Sequence, residues 1–310
     1  MNRQELFLRH KKNPILTAKD WPYPANSVFN PGAVKIKGYT LLLVRVEDRT
    51  GLSHLTVAKS QNGVDGWKID NKPTILPVAD NYPEEAWGIE DPRITYLEKQ
   101  KEWAVVYISY SMGGPLVSIA TTKDFCSFKR LGAVMPPENK DAALFPVMFD
   151  GRFAMLHRPA STLTGVGTHI WLSFSPDLKH WGDHKILICA RQGGFWDANK
   201  IGLSTPPLRT PEGWLLLYHG VRHTVSGDIY RLGLALLDLE CPSKVLHRSD
   251  EWIFGPKEQY EREGDVGNVV FPCGWVKENG KINLYYGSAD TCICLAKAKL
   301  SDLLDYICNF

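Results

Sequence analysis

The sequence predicts an all-β protein folded as a five-bladed β-propeller. The first observation is a weak internal repeat, in which a proline stands at the predicted start of a strand five times, at spacings of 61, 54, 60 and 66 residues: Pro31, Pro92, Pro146, Pro206 and Pro272. The second is that two further apolar runs follow each proline. Because a small sheet hides its apolar faces only against neighbouring sheets, five such units favour a propeller.

Each repeat unit has the pattern of three to four antiparallel strands. The second runs are rich in aromatic and β-branched residues, as strands are, and cover residues 41–46, 103–110, 153–156, 214–218 and 282–286. The third runs cover residues 52–59, 116–122, 169–175, 232–239 and 292–300. Turns rich in Gly, Asn and Asp join them. A β-sandwich, or a pair of them, is the alternative fold.

The chain shows no linker rich in Pro, Gly or Ser that would divide it, so we expect one catalytic domain over residues 1–310. Residues 1–25 are expected to form an N-terminal arm that crosses the propeller. Residues 301–310 are expected to form a short helical tail.

Composition excludes several classes of partner. The net charge is +2, from 36 Lys plus Arg against 34 Asp plus Glu, and like charges do not cluster, which argues against binding to nucleic acid or to a membrane surface. No apolar run resembles a signal peptide or a membrane span, so we expect a cytoplasmic protein. The seven cysteines are scattered and are expected to be reduced thiols without a metal.

Polar residues recur near the predicted inner strands, whose ends meet at one mouth of a propeller channel. Charges within apolar strands are costly unless they are paired or used in function. These residues are Asn30, Arg45, Asp48, Arg49, Glu90, Asp91, Arg93, Lys140, Asp141, His157, Arg158, Lys200, Tyr218, His219, Tyr230 and Asp290. Singly, each also fits a structural role, such as a core histidine at His157 or a solvated lysine at Lys200.

Asp91 is the best candidate for a catalytic acid. Transfer of a glycosyl group needs an acid that protonates the departing oxygen and a nucleophile at the anomeric carbon. Asp91 lies in a turn directly before Pro92 at the entrance of the second unit. The second carboxylate of a hydrolase pair is not evident, and three residues are open for it: Asp48, Asp265 and Asp290.

Positive charge dominates the remaining candidates and indicates an oxyanion site, most simply for phosphate. The residues are Lys140, Arg158 and Lys200, with His219 and Tyr230 as neutral donors. No phosphate-binding loop or dinucleotide motif accompanies them. Free inorganic phosphate needs no deprotonation to attack, so it would explain an acid without a base. The sequence therefore predicts a phosphorylase with phosphate as co-substrate and without a metal or organic cofactor.

The chain also resembles glycoside hydrolase family 130, the β-mannoside phosphorylases and their hydrolytic relatives. The resemblance runs from about Asn30 to Asp290 and rests on these phrases: Gly-Ile-Glu-Asp91-Pro-Arg, Asn-Lys140-Asp-Ala-Ala-Leu-Phe-Pro, His157-Arg158-Pro, Lys200-Ile-Gly, Gly-Trp-Leu-Leu-Leu-Tyr-His219-Gly, Tyr230-Arg-Leu-Gly-Leu-Ala and Tyr-Gly-Ser-Ala-Asp290-Thr. It implies a five-bladed propeller and an inverting reaction. Asp91 would be the general acid, with its proton passing through the 3-hydroxyl of the bound mannose.

The resemblance further implies two groups of binding residues. Around phosphate it implies Lys140, Arg158, Lys200, His219 and Tyr230. For the mannose in subsite −1 it implies Asn30, Asp290 and the first-blade arginines Arg45 and Arg49, without distinguishing which arginine reaches the sugar. We add Asp48, Glu90 and His157 as substrate-binding candidates. Many relatives carry Arg where this chain has Lys140, which keeps the charge but loses the bidentate fork. The hydrolytic branch of the family lacks much of this set of basic phosphate-binding residues. The presence of these residues in this chain therefore favours phosphorolysis.

We therefore expect an inverting β-mannoside phosphorylase that converts β-mannobiose or short β-mannooligosaccharides, linked β-1,4 or β-1,2, into α-mannose 1-phosphate and a shortened sugar. An inverting β-mannosidase using water and a non-catalytic glycan-binding propeller are the alternatives. Three loop aromatics are candidates for stacking on sugar rings: Trp87, Trp196 and Tyr260. The resemblance also implies that the chain can form a homo-oligomer.

Overall fold

The computed structural model describes residues 5–160 and 167–309 of the chain. Within these ranges the strands form five antiparallel sheets in sequence order, which confirms the predicted five-bladed β-propeller. Residues 1–4 of the predicted arm and residue 310 of the predicted tail lie outside the described ranges. No helix in the part of the chain that the structure describes is long and apolar enough to cross a membrane.

The first strand, β1 (Leu8–Arg9), belongs to the last blade. A 3-10 helix at Ala18–Asp20 leads into blade 1, whose strands are β2 (Ser27–Ile36), β3 (Tyr39–Glu47), β4 (Ser53–Ser60) and β5 (Lys68–Ile69). A second 3-10 helix at Pro83–Glu85 precedes blade 2, whose strands are β6 (Ile89–Leu97), β7 (Glu102–Ser111), β8 (Gly114–Thr122) and β9 (Lys129–Ala133).

Blades 3 to 5 follow the same up-and-down order. Blade 3 contains β10 (Asn139–Leu144), β11 (Phe153–Pro159), β12 (Ile170–Ser175) and β13 (Gly182–Ile188). Blade 4 contains β14 (Lys200–Leu203), β15 (Leu208–Arg209), β16 (Trp214–Thr224), β17 (Gly227–Leu237) and β18 (Val245–Arg248). Helix α1 (Gln259–Arg262) precedes blade 5, which contains β19 (Val270–Glu278), β20 (Lys281–Ser288) and β21 (Cys292–Lys299), and helix α2 (Leu300–Cys308) follows.

The core lies between the blades, because alternate residues of a strand face opposite sides of its sheet. Along β7, Val105 and Tyr107 pack in a cluster shared with blade 1. Their neighbours Ala104 and Val106 pack in a cluster shared with blade 3. Each pair of adjacent blades has one such cluster. The period-two apolar pattern thus fixes each blade against both of its neighbours.

The innermost strands of blades 1 to 3 share a β-bulge near their first residues. In blade 1 the register jumps between Phe29 and Gly32, so Asn30 and Pro31 face a single residue of β3. Equivalent jumps occur in β6 and β10. The first bulge residue has a positive φ in each case, 46° at Asn30, 51° at Asp91 and 53° at Asp141. Asn and Asp are the non-glycine residues that most readily adopt this conformation, and a bulge re-aims the side chain.

The proline repeat marks the inner strands only in part. Pro31 and Pro92 occupy the second bulge position, where the ladder is interrupted and the missing N–H costs little. In blade 3 that position holds Ala142, and Pro146 follows the end of β10. Pro206 likewise follows β14. The expectation of a proline at every strand start was therefore wrong for blades 3 and 4, because any residue can fill the unpaired bulge position of β10, and β14 pairs with β16 without a bulge.

The N-terminal segment closes the ring of blades. Strand β1 pairs with β21, with Leu8 opposite Lys297 and Arg9 opposite Ala296. The guanidinium of Arg9 forms a two-point ion pair with the buried Glu261, with Nε 2.8 Å from Oε1 and Nη2 2.9 Å from Oε2. Residues 8–9 of the predicted arm therefore serve as the outermost strand of blade 5, which ties the start of the chain to its last blade.

We predict that Arg9→Ala destabilises the protein strongly. The change leaves the carboxylate of Glu261 buried beside the hydroxyl of Tyr286 without a cation, and breaking such a pair costs about 3–5 kcal/mol. The control Lys12→Ala removes an exposed pair with Asp65 and should cost at most ~1 kcal/mol. Urea unfolding followed by circular dichroism measures both. Equal losses for the two variants would contradict the proposed role in closure.

Candidate active site

A cavity of about 220 Å³ opens at the end of the channel where the inner strands begin, and all five blades contribute to it. It is lined by Asn30, Arg45, Asp91, Lys140, Asp141, Arg158, Lys200, His219, Tyr230, Val266, Val269, Phe271 and Asp290. Nine of the residues predicted from the sequence thus meet in one place: Asn30, Arg45, Asp91, Lys140, Arg158, Lys200, His219, Tyr230 and Asp290.

Asp91 is held from blade 1. Its Oδ1 accepts a hydrogen bond from Nδ2 of Asn30 at 2.9 Å and another from Nη1 of Arg45 at 3.2 Å. The bulge in β6 directs the side chain toward the cavity rather than into a blade interface. Its Oδ2 accepts no hydrogen bond from the residues that the structure describes. One carboxylate oxygen is therefore fixed, while the other is available to a bound molecule.

Glu90 lies beside the cavity and pairs with two of its cations. Its Oε1 is 3.1 Å from Nη2 of Arg45, and its Oε2 is 3.3 Å from Nζ of Lys140. Burial opposes the charge of Lys140, but the carboxylates of Glu90 and Asp91 outweigh it and hold the pKa of Lys140 above its usual value. Lys140 is thus directed toward blade 2, where its Nζ also lies 5.8 Å from the ring centroid of Tyr110.

Asp141 organises the basic side of the cavity. Its Oδ2 is 2.6 Å from Nε of Arg158 and 3.4 Å from Nε2 of His219, and its Oδ1 is 3.5 Å from Nη2 of Arg93. Burial alone would raise the pKa of Asp141, but Arg158 and His219 hold it well below its ordinary range. The carboxylate therefore carries a charge that orients the surrounding donors.

Asp141 and Arg93 were among the polar residues expected near the inner strands, but no role was predicted for either of them. A signal for Asp141 was present, since it occupies the first bulge position in blade 3, as Asn30 and Asp91 do in blades 1 and 2. The proline repeat hid this equivalence because Ala142 stands where the other two blades have proline.

Lys200 carries positive charge without a carboxylate partner in the described residues. Its Nζ donates to the hydroxyl of Tyr230 at 3.1 Å and lies 5.3 Å from the centroid of that ring. Burial lowers the pKa of Lys200, and the positive charge of the nearby Arg158 lowers it further. A buried cation next to another cation is a site that an anion would stabilise.

His219 presents a neutral imidazole to the same side. Burial lowers the pKa of His219 despite the attraction of Asp141, and its ring packs 4.8 Å from the centroid of Phe271. The neighbouring strand leaves room for this arrangement only because residue 202 is glycine. A Cβ at Gly202 would collide with the carboxylate of Asp141 and the ring of His219.

Asp290 is the least stabilised carboxyl group of the cavity. Burial raises its pKa to about 7, and the charges of Asp91 and Glu90 add to this against the attraction of Arg45. Asp290 has a φ of 53° and accepts no hydrogen bond from the described residues. Its carboxyl group is therefore available to a hydroxyl-bearing ligand in either protonation state.

Four predicted substrate-binding residues do not line the cavity: Glu90 lies beside it, and Asp48, Arg49 and His157 lie elsewhere. The carboxylate of Asp48 caps its own turn, accepting hydrogen bonds from N and Oγ1 of Thr50 at 2.7 Å. Arg49 follows in that turn with its side chain exposed to solvent. His157 is buried within blade 3, with Nε2 2.7 Å from Oγ of Ser173, and burial lowers its pKa to about 3, so it acts as a neutral core residue.

We predict that Asp290→Asn changes how stability depends on pH. A pKa raised to about 7 in the folded state means that the contribution of Asp290 is most favourable below about pH 4, where unfolded carboxyls are protonated, and declines as pH rises toward 7. The neutral variant does not have to bury an ionised carboxylate. Its stability relative to wild type should therefore be higher at pH 8 than at pH 5. Melting temperatures at both values test this.

The matched control for that measurement is Asp80→Asn, which alters an exposed carboxylate in a loop. It should leave the wild-type pH dependence unchanged. The same change in pH dependence in both variants would show that burial of Asp290 is not the cause.

Comparisons with known proteins bear on this site. The profile of glycoside hydrolase family 130, described as beta-1,4-mannooligosaccharide phosphorylase, matches residues 9–309. The chain is 32% identical to a beta-1,4-mannooligosaccharide phosphorylase of Ruminococcus albus, over 98% of this chain and 91% of that protein. It is 35% identical to a 1,2-beta-oligomannan phosphorylase of Thermoanaerobacter, over 95% of this chain and 98% of that protein.

A solved structure is similar over the whole chain. The beta-1,2-mannobiose phosphorylase of Listeria innocua, solved in complex with beta-1,2-mannobiose, superposes with a TM-score of 0.89 at 30% identity and covers 100% of both chains. The resemblance inferred from the cavity motifs is thereby confirmed: this chain belongs to glycoside hydrolase family 130.

Proposed function

We propose that the protein is an inverting β-mannoside phosphorylase, which splits β-mannobiose or short β-mannooligosaccharides with inorganic phosphate. The products are α-mannose 1-phosphate and a sugar shortened by one unit. The names of its relatives include both β-1,4 and β-1,2 substrates, and we keep both linkages in the proposal. The reaction as proposed draws on no metal or organic cofactor. A cytoplasmic location and a homo-oligomeric state remain predictions from the sequence.

The observation that carries the proposal is the division of charge across one cavity. Blades 5, 1 and 2 supply the carboxyl groups of Asp290 and Asp91 with Asn30 and Arg45. Blades 3 and 4 supply Arg158 and Lys200, with His219 and Tyr230 as neutral groups. An acid thus faces an anion site across a space the size of a small ligand. This is the arrangement that displacement of a sugar by phosphate requires.

In the proposed reaction, mannose occupies subsite −1 beside Asn30, Arg45 and Asp290. A phosphate oxygen held by Arg158 and Lys200 forms a bond to the anomeric carbon on the face opposite the leaving sugar. The glycosidic C–O bond breaks, and its oxygen takes a proton that comes from Asp91 through the 3-hydroxyl of mannose. Lys140 also lines the cavity and adds positive charge to the phosphate site. Attack from the opposite face inverts the anomeric configuration.

We predict that cleavage depends on phosphate and on Asp91. Wild type should release α-mannose 1-phosphate from β-mannooligosaccharides of the correct linkage only when phosphate is present. Asp91→Asn keeps the shape of the side chain but cannot supply the proton, so kcat should fall by about 10²–10⁴-fold. Product analysis by ion chromatography measures both. Equal cleavage with and without phosphate would identify a mannosidase that uses water, and sugar binding without turnover would identify a glycan-binding propeller.

We predict that Lys200→Met weakens phosphate binding selectively. The variant removes a cation that no carboxylate balances in the described residues, so KM for phosphate should rise by about 10-fold or more, while KM for the sugar changes little. Phosphate should also raise the melting temperature of wild type more than that of the variant. The exposed Lys244→Met serves as control. An unchanged KM for phosphate would contradict the assignment of this side of the cavity.

A further inference from the structure

Two aromatic side chains stand exposed next to the cavity, on blade 2. Trp87 is 49% exposed and Tyr110 is 36% exposed, and their ring centroids are 5.7 Å apart in an edge-to-face arrangement. A single exposed aromatic residue is unremarkable in any protein, but a contiguous pair beside a binding cavity indicates a contact surface. Of the other loop aromatics singled out from the sequence, Trp196 is buried and stacks on Tyr218, and Tyr260 is partly buried against the core.

The backbone that carries Trp87 is fixed by hydrogen bonds to the neighbouring strand. The amide of Trp87 donates to the carbonyl oxygen of Tyr110 at 2.7 Å, and the amide of Tyr110 donates to the carbonyl oxygen of Gly88 at 3.0 Å. Two residues earlier, the buried Glu85 accepts hydrogen bonds from Tyr107 at 2.8 Å and Arg130 at 2.5 Å. The backbone that presents the two exposed rings is therefore fixed before any ligand arrives, which lowers the entropy cost of binding.

The ring pair is continuous with the cavity. Trp87 lies three residues before Glu90 and four before Asp91, at the cavity end of β6. The Nζ of Lys140, a cavity-lining residue, lies 5.8 Å from the ring centroid of Tyr110. Moving outward from the acid, the surface thus runs over Glu90 and Lys140 to Tyr110 and then to Trp87. Glu90 and Lys140 form the polar part of this path next to Asp91, and the two aromatic rings lie beyond them.

We propose that Trp87 and Tyr110 form a platform for a pyranose ring of the leaving portion, one unit beyond the sugar at the cleaved bond. The apolar C–H faces of a pyranose pack well on aromatic rings, while its hydroxyls stay in water. The protein then favours β-mannooligosaccharides of three or more units over the disaccharide. This inference rests on the proposed function and narrows its substrate class.

The test is the ratio of kcat/KM for mannotriose to that for mannobiose, measured in the β-1,4 and β-1,2 series at saturating phosphate. Wild type should show a ratio above one in the series it cleaves. Trp87→Ala should lower that ratio by about three- to tenfold, and Trp87→Phe should retain most of it. Tyr96→Ala is the matched control, because Tyr96 is 40% exposed and lies at the other end of β6.

The outcomes separate this inference from the proposed function. If wild type phosphorolyses both sugars and Trp87→Ala keeps the wild-type ratio, the platform is wrong and the function stands. If wild type cleaves neither, the function is wrong, and calorimetric binding decides on the platform. Tighter binding of mannotriose than mannobiose, lost in Trp87→Ala but not in Tyr96→Ala, supports it, and equal binding of the two sugars overturns it. Melting temperatures verify that each variant is folded.

Discussion

The guanidinium of Arg93 lies buried near the centre of the propeller and joins three blades beneath the cavity. Its Nε and Nη2 donate to the carbonyl oxygens of Ser204 at 2.7 Å and Leu203 at 3.1 Å in blade 4, and its Nη1 donates to that of Asp91 at 3.2 Å. Its contact with Asp141 reaches blade 3. A buried cation is tolerated only with such saturation, so these contacts fix the inner strands relative to one another.

The three bulges show how one backbone feature can serve several chemical tasks. Asn30, Asp91 and Asp141 all occupy the first bulge position of an inner strand, and each has a positive φ. In blade 1 the side chain holds the proposed acid, in blade 2 it is that acid, and in blade 3 it orients the basic groups. Repetition of the blade places these groups around one axis. The different contacts made from this one position then give the sides of the cavity different chemical roles.

The same geometry separates residues that look alike in sequence. Arg45 and Asp48 lie three positions apart, but Arg45 is on β3 and reaches Asp91, whereas Asp48 lies past the end of the strand and caps a turn. Arg158 and His157 are adjacent, and strand alternation sends one to the cavity and the other into the blade. Whether a candidate residue reaches the cavity therefore depends on its position in the strand and on the face to which its side chain points. Closeness in the sequence does not reveal either.

The repeated spacing of prolines and of the apolar runs that follow them was enough to predict five blades, because each blade's strand pattern is local and recurs along the chain. A concentration of charged residues near the inner strands, including Asp91, could also be predicted from the sequence, since burying such charges costs free energy unless they are paired or used in function. Only the tertiary structure decided which side chains meet, that Asp141 and Arg93 organise the basic side, and that residues 8–9 complete blade 5. These depend on bulges, register and contacts between residues far apart in the chain, which a local pattern does not encode.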